Sequence, residues 1–112
     1  MASINQVTLL GRVGQAPTSN TSQGGTPVTK FSLATSRKVG DAEETQWHNI
    51  VCFNKAAEFA GKWIGKGDQI VVIGEIKYNK YTNSEGVTQW MTTIVASNVQ
   101  LAVKKNEPND LP

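Results

Sequence analysis

Apolar and polar residues alternate along most of this chain, and the period lengthens to a helical one only once. Ser3–Val13, SINQVTLLGRV, keeps Val7, Leu9, Gly11 and Val13 on one parity, as a half-buried strand does. Residues 14–27 break the pattern with Gly, Gln, Thr, Ser and Pro and read as a loop. Alternation resumes over Val28–Ser36, with Phe31 and Leu33 opposite Lys30 and Ser32. A second loop is predicted over Arg37–Thr45, around Gly40. Gln46–Phe53, QWHNIVCF, is the third strand, with Trp47, Asn49, Val51 and Phe53 on one face and His48, Ile50 and Cys52 on the other. The period then changes: Ala56, Phe59, Ala60, Trp63 and Ile64 recur at helical spacing. Asn54 suits the helix cap, Glu58 the first turn and Lys62 and Lys66 the far end, with Gly65 or Gly67 as a stop.

The most strand-prone stretch is Ile70–Val95, IVVIGEIKYNKYTNSEGVTQWMTTIV. Two runs of β-branched and aromatic residues flank the turn-like Thr82–Gly86, which predicts a long hairpin. Val99–Val103 follows as a short last strand segment. Three strands, one helix and two strands is the arrangement of a five-stranded OB-fold Greek-key barrel, an all-β fold with the helix between strands three and four. Gly11 and Gly74, inside strands, suit the bulges or bends that closing a small barrel requires. The expected organisation is one barrel domain over residues 1–103 and a short flexible tail over 104–112.

The hairpin carries Lys77, Tyr78, Lys80, Tyr81 and Trp90. Cations track phosphates and flat rings stack on unpaired bases, so the set suits a single-strand grip. Cross-strand packing of the rings on one another is an equally open reading at this point. Trp47 and Phe53 add two rings of one parity on the third strand, and Arg12, Arg37, Lys38 and Lys55 are further candidate phosphate contacts. Phe31, Phe59 and Trp63 are expected in the core, while Trp47 stays open between core and site.

Composition narrows the classes. At 112 residues and 38% hydrophobic content the chain suits one globular domain. It has no apolar run of membrane-spanning length and no secretory profile at Met1–Gln6. The single Cys52 excludes an internal disulfide and fits a reducing compartment, so the cytoplasm is expected. Net charge is +2, or +4 once Glu107 and Asp110 of the last six residues are set aside, which tolerates a polyanion without demanding one.

Catalytic patterns fail. His48 and Cys52 share a strand face but stand about 13 Å apart, too far to hold one metal ion. His48, the one histidine, reads as a packing or interface residue, and Cys52 as a small buried hydrophobe. Gly61–Lys66 is one residue short of a Walker loop and falls in the helix rather than before it. Gly11-Arg12-Val13-Gly14 has GxxG spacing in the wrong, strand context, and Asn20-Thr21-Ser22 is an acceptor only in a secreted protein. The expectation is no enzyme, no cofactor and no metal.

The order of Leu33-Ala34-Thr35-Ser36, Gln46-Trp47-His48, Lys66-Gly67-Asp68-Gln69, Gly74 and Lys80-Tyr81-Thr82, after the opening Val7–Pro17, closely resembles bacterial-type single-stranded DNA-binding proteins (SSB) over about residues 2–103. That resemblance implies an OB-fold that coats single-stranded DNA with little sequence preference in replication, recombination and repair, usually as a homotetramer. It places stacking rings at Trp47 and Phe53 and the hairpin's lysine–aromatic pair at Lys80 and Tyr81, with Trp90, Lys77 and the other cations alongside. It assigns His48, Ile4 and Gln6 to subunit contacts. It also implies residence in the cytoplasm at the nucleoid, or in a host cytoplasm for a phage protein. Three departures stand out: Val39 where a further ring is expected, Asn49 where a basic residue is, and a terminus Asn109-Asp110-Leu111-Pro112 without the acidic, phenylalanine-ended tip. A short phage, plasmid or divergent bacterial member, or a truncated form, would carry such a tail, and docking of replication and repair proteins on it is then in question. Two rivals remain: a related OB-fold restart or RNA-binding factor, and a protein–protein adaptor without nucleic acid.

Overall fold

A computed structural model of the chain describes residues 2–104; residues 105–112, most of the expected tail, lie outside the described residues. The element order is β1 (Val7–Val13), β2 (Thr18–Thr21), β3 (Pro27–Val39), β4 (Ala42–Phe53), α1 (Asn54–Trp63), β5 (Gln69–Thr82) and β6 (Thr88–Val103). The neighbours run β1-β5-β6-β4-β3-β2, and β1 also pairs β3 through Arg12↔Ala34 and Val13↔Leu33. That last pairing closes β1, β5, β6, β4 and β3 into a five-stranded barrel, with β4 and β6 parallel at Ile50↔Ile94 and Cys52↔Ala96.

The expected five strands are all present, with three refinements. The first loop contains the short β2, exposed throughout and paired to β3 from Thr18↔Lys30 to Thr21↔Pro27. The second loop shrinks to a tight turn, because β3 and β4 stay in register out to Val39↔Ala42 and Gly40 takes φ 64° there. Val99–Val103 is the continuation of β6 rather than a separate segment. Of the two strand glycines, Gly74 lies at the register shift after Ile73, where a side chain would run into the Val95 carbonyl; Gly11 marks a close crossing of β1 over Ala34 without a register shift.

Inward-facing Val13, Phe31, Leu33, Ile50, Cys52, Ile70, Val72, Ile94 and Val99 fill the barrel, and α1 closes one end with Ala57, Ala60 and the following Ile64. Small residues on α1 let its backbone sit close to β3, where the buried Thr29 hydroxyl donates to the Ala57 carbonyl at 2.8 Å. Phe31 is buried in the core, as expected, whereas Phe59 is half-buried and packs against its margin. Trp63 is not core: it is 53% exposed. It stands roughly 90° round the helix from the middle of the buried stripe, at the last helical residue, and Lys62 Nζ lies 5.3 Å from its ring. The helix start also differs from expectation. Asn54 is the first helical residue, not a side-chain cap, and holds φ 57°, a left-handed turn that asparagine tolerates, so the chain swings from β4 into α1 there. Glu58 lies past the first turn, and the helix ends before Gly65 and Gly67.

Candidate nucleic-acid interface

The register of β3 and β4 decides which side chains share the barrel's outer surface. Val28↔Phe53, Lys30↔Val51, Ser32↔Asn49 and Ala34↔Trp47 are cross-strand pairs of one parity, opposite to the buried Thr29, Phe31 and Leu33. Trp47 is therefore an outer residue, 63% exposed, and Phe53 is 43% exposed on the same face. Six residues at a strand rise of about 3.3 Å set the two rings about 20 Å apart. The Trp47 indole rests over Gly14, where an added side chain would strike the ring and Ser32 Oγ. The exposed rings are one surface, and no core stands ready to take them.

The β5–β6 hairpin rises beside this surface and makes a groove of about 770 Å³ with it. Phe53, Val51, Asn49 and Lys30 line one wall; Lys77, Asn79, Met91 and Thr93 line the other. Among the described residues no carboxylate lines the groove, while two lysines do. A cleft with apolar floor, amide donors and only positive charge is fitted to a flexible polyanion with flat apolar rings.

Of the candidate residues, Trp47, Phe53, Lys77 and Tyr81 fall on this side. Tyr81 lies two cross-strand pairs beyond Asn79↔Met91, on the same face, and its hydroxyl donates to Gln89 Oε1 at 2.7 Å. Lys80 and Trp90 do not join them. They pair with each other on the reverse face of the hairpin, because neighbours in a strand point to opposite sides. Arg12 flanks Trp47 beyond Ala34, with one guanidinium N–H given to the Gly67 carbonyl at 2.8 Å. Arg37 and Lys38 sit at the far end of the β3–β4 hairpin, where Glu44 lies 3.5 Å from Arg37 and Glu43 pairs across from Lys38. Lys55 is exposed on the first turn of α1, two residues past Phe53.

The subunit-contact candidates are on other surfaces. His48 points inward, half-buried, with Nε2 2.9 Å from Thr35 Oγ1. Ile4 is 92% exposed and Gln6 is exposed, flanking Asn5, whose side chain holds both the N–H and the carbonyl of Ile76. Lys30, Asn79 and Met91 were missed as groove residues; the alternation of VTKFSLATS already set Lys30 outward, but which neighbour it met depended on register. Among the described residues no group of three or more His, Cys, Asp or Glu is placed to hold a metal ion. Cys52 is fully buried, and burial pushes its thiol from 9.0 up to about 11.

The model of the single-strand binding protein family matches residues 4–102. The chain belongs to that family. It is 39% identical over 109 residues to a single-stranded DNA-binding protein of Xanthomonas campestris pv. campestris, across 93% of this chain but 63% of that relative. It is 36% identical to single-stranded DNA-binding protein 1 of Xylella fastidiosa strain 9a5c, across 97% of this chain and 85% of that one. Among solved structures, this single-strand binding protein family member superposes on Plasmodium falciparum SSB in complex with ssDNA with a TM-score of 0.85 and 28% identity, over 91% of this chain and 97% of the other. The chain thus spans less than two thirds of the length of the Xanthomonas relative. No helix among the described residues is long and apolar enough to cross a membrane.

Proposed function

We propose that this chain binds and protects single-stranded DNA with little sequence preference, without catalysing a reaction. The observation that carries this is the outer surface itself: exposed Trp47 and Phe53 on one strand face, beside a groove that holds Lys30 and Lys77 and, among the described residues, no carboxylate. Family membership and the likeness to an SSB solved with ssDNA support it. Trp47, Phe53 and Tyr81 stack bases; Lys77 and Lys30 contact phosphates from within the groove, and Arg12 and Lys55 from its ends. Each stacked base contributes about 1–3 kcal/mol whatever its identity, which is why such a grip tolerates sequence. Arg37 and Lys38 contribute least: Arg37 is paired with Glu44, and Lys38 stands in register opposite the acidic Glu43.

The proposed setting is DNA replication, recombination and repair in the cytoplasm, as a homotetramer, with residues 1–103 as the DNA-binding domain. The β1 edge supports self-association: residues 7–11 pair only with β5, and Ile4 and Leu10 expose apolar side chains there. His48 belongs to that reading as a subunit-contact residue, with Ile4 and Gln6.

Titration of intrinsic tryptophan fluorescence with oligo(dT), at rising salt and against duplex competitor, tests the DNA-binding reading. Saturable quenching that duplex does not reverse, with affinity falling as salt rises, is expected. Failure to bind labelled oligo(dT) in fluorescence anisotropy at low salt would move the protein–protein adaptor reading ahead. Equal affinity for oligo(U) would favour an RNA-binding factor.

A further inference from the structure

The hairpin of β5 and β6 extends past the barrel, and its two faces have different fates. One face carries Lys77, Asn79 and Tyr81 over the groove. The other begins inside the barrel as core, with Ile94 5% exposed and Ile76 packed on the buried cluster. Beyond the barrel the same parity continues as Tyr78↔Thr92, Lys80↔Trp90 and Thr82↔Thr88. Nothing among the described residues covers it: Tyr78 is 63% and Trp90 69% exposed. Lys80 Nζ hangs 5.9 Å from the Trp90 ring. A merely solvated arm needs only threonines, as its outermost pair has.

We propose that this reverse face is a second track for single-stranded DNA, so that a strand lying in the groove rounds the edge of the hairpin and stacks again on Trp90 and Tyr78. The proposal rests on the single-strand reading above and deepens it. Three observations favour nucleic acid as the occupant. The face carries one cation and no carboxylate, which complements a polyanion. Tyr81 and Lys80 are consecutive and point to opposite faces, so a strand leaving Tyr81 reaches Lys80 around a single strand edge. Among the described residues that edge is open, because β1 pairs β5 only as far as Gly74 and beyond it the backbone is bonded by the Asn5 side chain, at Ile76. The lysine over the indole is no obstacle. An exposed cation–π contact is weaker than the stacking of a base on an aromatic ring, so a base displaces the lysine toward its own phosphate.

The double variant Trp47→Phe, Trp63→Phe leaves Trp90 as the sole tryptophan of a chain with three. It is titrated with labelled oligo(dT) of increasing length, binding read by anisotropy and the reverse face by Trp90 emission. The shortest oligonucleotides that bind should leave Trp90 unquenched, and longer ones should quench it. Trp90→Thr and, separately, Lys80→Gln should weaken binding of long oligonucleotides at least fivefold and leave short ones unchanged; circular dichroism checks that both fold. Binding at every length without Trp90 quenching would overturn the second track. So would equal quenching by the shortest oligonucleotide, which would make hairpin and groove one site, or Trp90 emission that responds to protein dilution instead of DNA, which would give the face to a second copy of the chain. No binding at any length by anisotropy would remove this proposal together with the reading beneath it.

Discussion

Trp47 shows how one position acquires its role from its neighbours. Its parity with Phe53 was legible in QWHNIVCF, but whether that parity faced core or solvent was not, since tryptophan suits both. Pairing with Ala34 and seating over Gly14 leave the ring outside the barrel. Trp47→Ala should weaken binding about 5- to 150-fold on oligo(dT), oligo(dC) and oligo(dA) alike, measured by anisotropy, since stacking is lost and no base-specific contact with it. A loss confined to one sequence would remove Trp47 from the stacking site. Cys52 has the opposite character, being sealed among Thr29, Ile50 and Ala96 register partners and neighbours. Its folded thiol keeps its proton up to about pH 11, while an unfolded thiol loses it near 9. The unfolded state therefore binds fewer protons between those values, and stability falls as pH rises through that window. Two pH units correspond to roughly 2–3 kcal/mol. Urea unfolding at pH 8 and pH 11 should show that much greater loss in the natural chain than in Cys52→Ala; equal losses would contradict the burial argument.

At the scale of elements, the hairpin and the helix teach different lessons. Ile70–Val95 was readable as a hairpin because β-branched and aromatic residues fill both arms and a glycine closes the turn, where Gly86 has φ 81°. The separation of its chemistry was not read: treating Lys77, Lys80, Tyr81 and Trp90 as one group ignored that odd and even positions face apart. Helical spacing placed Trp63 with the core, yet the stripe that packs is centred on Ala57, Ala60 and Ile64, and the end of the helix leaves Trp63 beside Lys62 in solvent. Cations sort by element too. Lys30 on β3 and Lys77 on β5 face the groove without acidic partners there among the described residues, whereas Arg37 near the end of β3 lies 3.5 Å from Glu44. The double variant Lys30→Ala, Lys77→Ala should flatten the slope of log affinity against log salt by about 1.4, at roughly 0.7 per phosphate contact on a single strand. Arg37→Ala should leave it nearly unchanged. Equal effects would mean that charge location within the fold is irrelevant to binding.

The whole molecule is decided by closure. The Arg12↔Ala34 and Val13↔Leu33 pairs bring residues at least 20 positions apart into one ring, and the Val13 carbonyl and N–H bond Gly67 and Asp68 of the loop after α1. Closing the ring leaves the rest of the β1 edge unpaired and Leu10 61% exposed. If that edge joins subunits, light scattering should give four chains per particle, and Leu10→Glu should lower the mass while circular dichroism stays that of a folded barrel. A natural chain that scatters as a monomer at all concentrations would exclude the tetramer. By itself the sequence determined the kind and order of the five long strands and the helix, and the residue types suited to unpaired bases. These are local properties, written in periods of two and 3.6 and in side-chain chemistry. Tertiary structure alone decided the rest: that Trp47 is outside and Trp63 is not core, that Lys30 meets Lys77 across a groove, and that Lys80 and Trp90 turn away from Tyr81. Those outcomes depend on register and barrel closure between distant strands, and a slip of one residue would reverse every face, so no single segment encodes them.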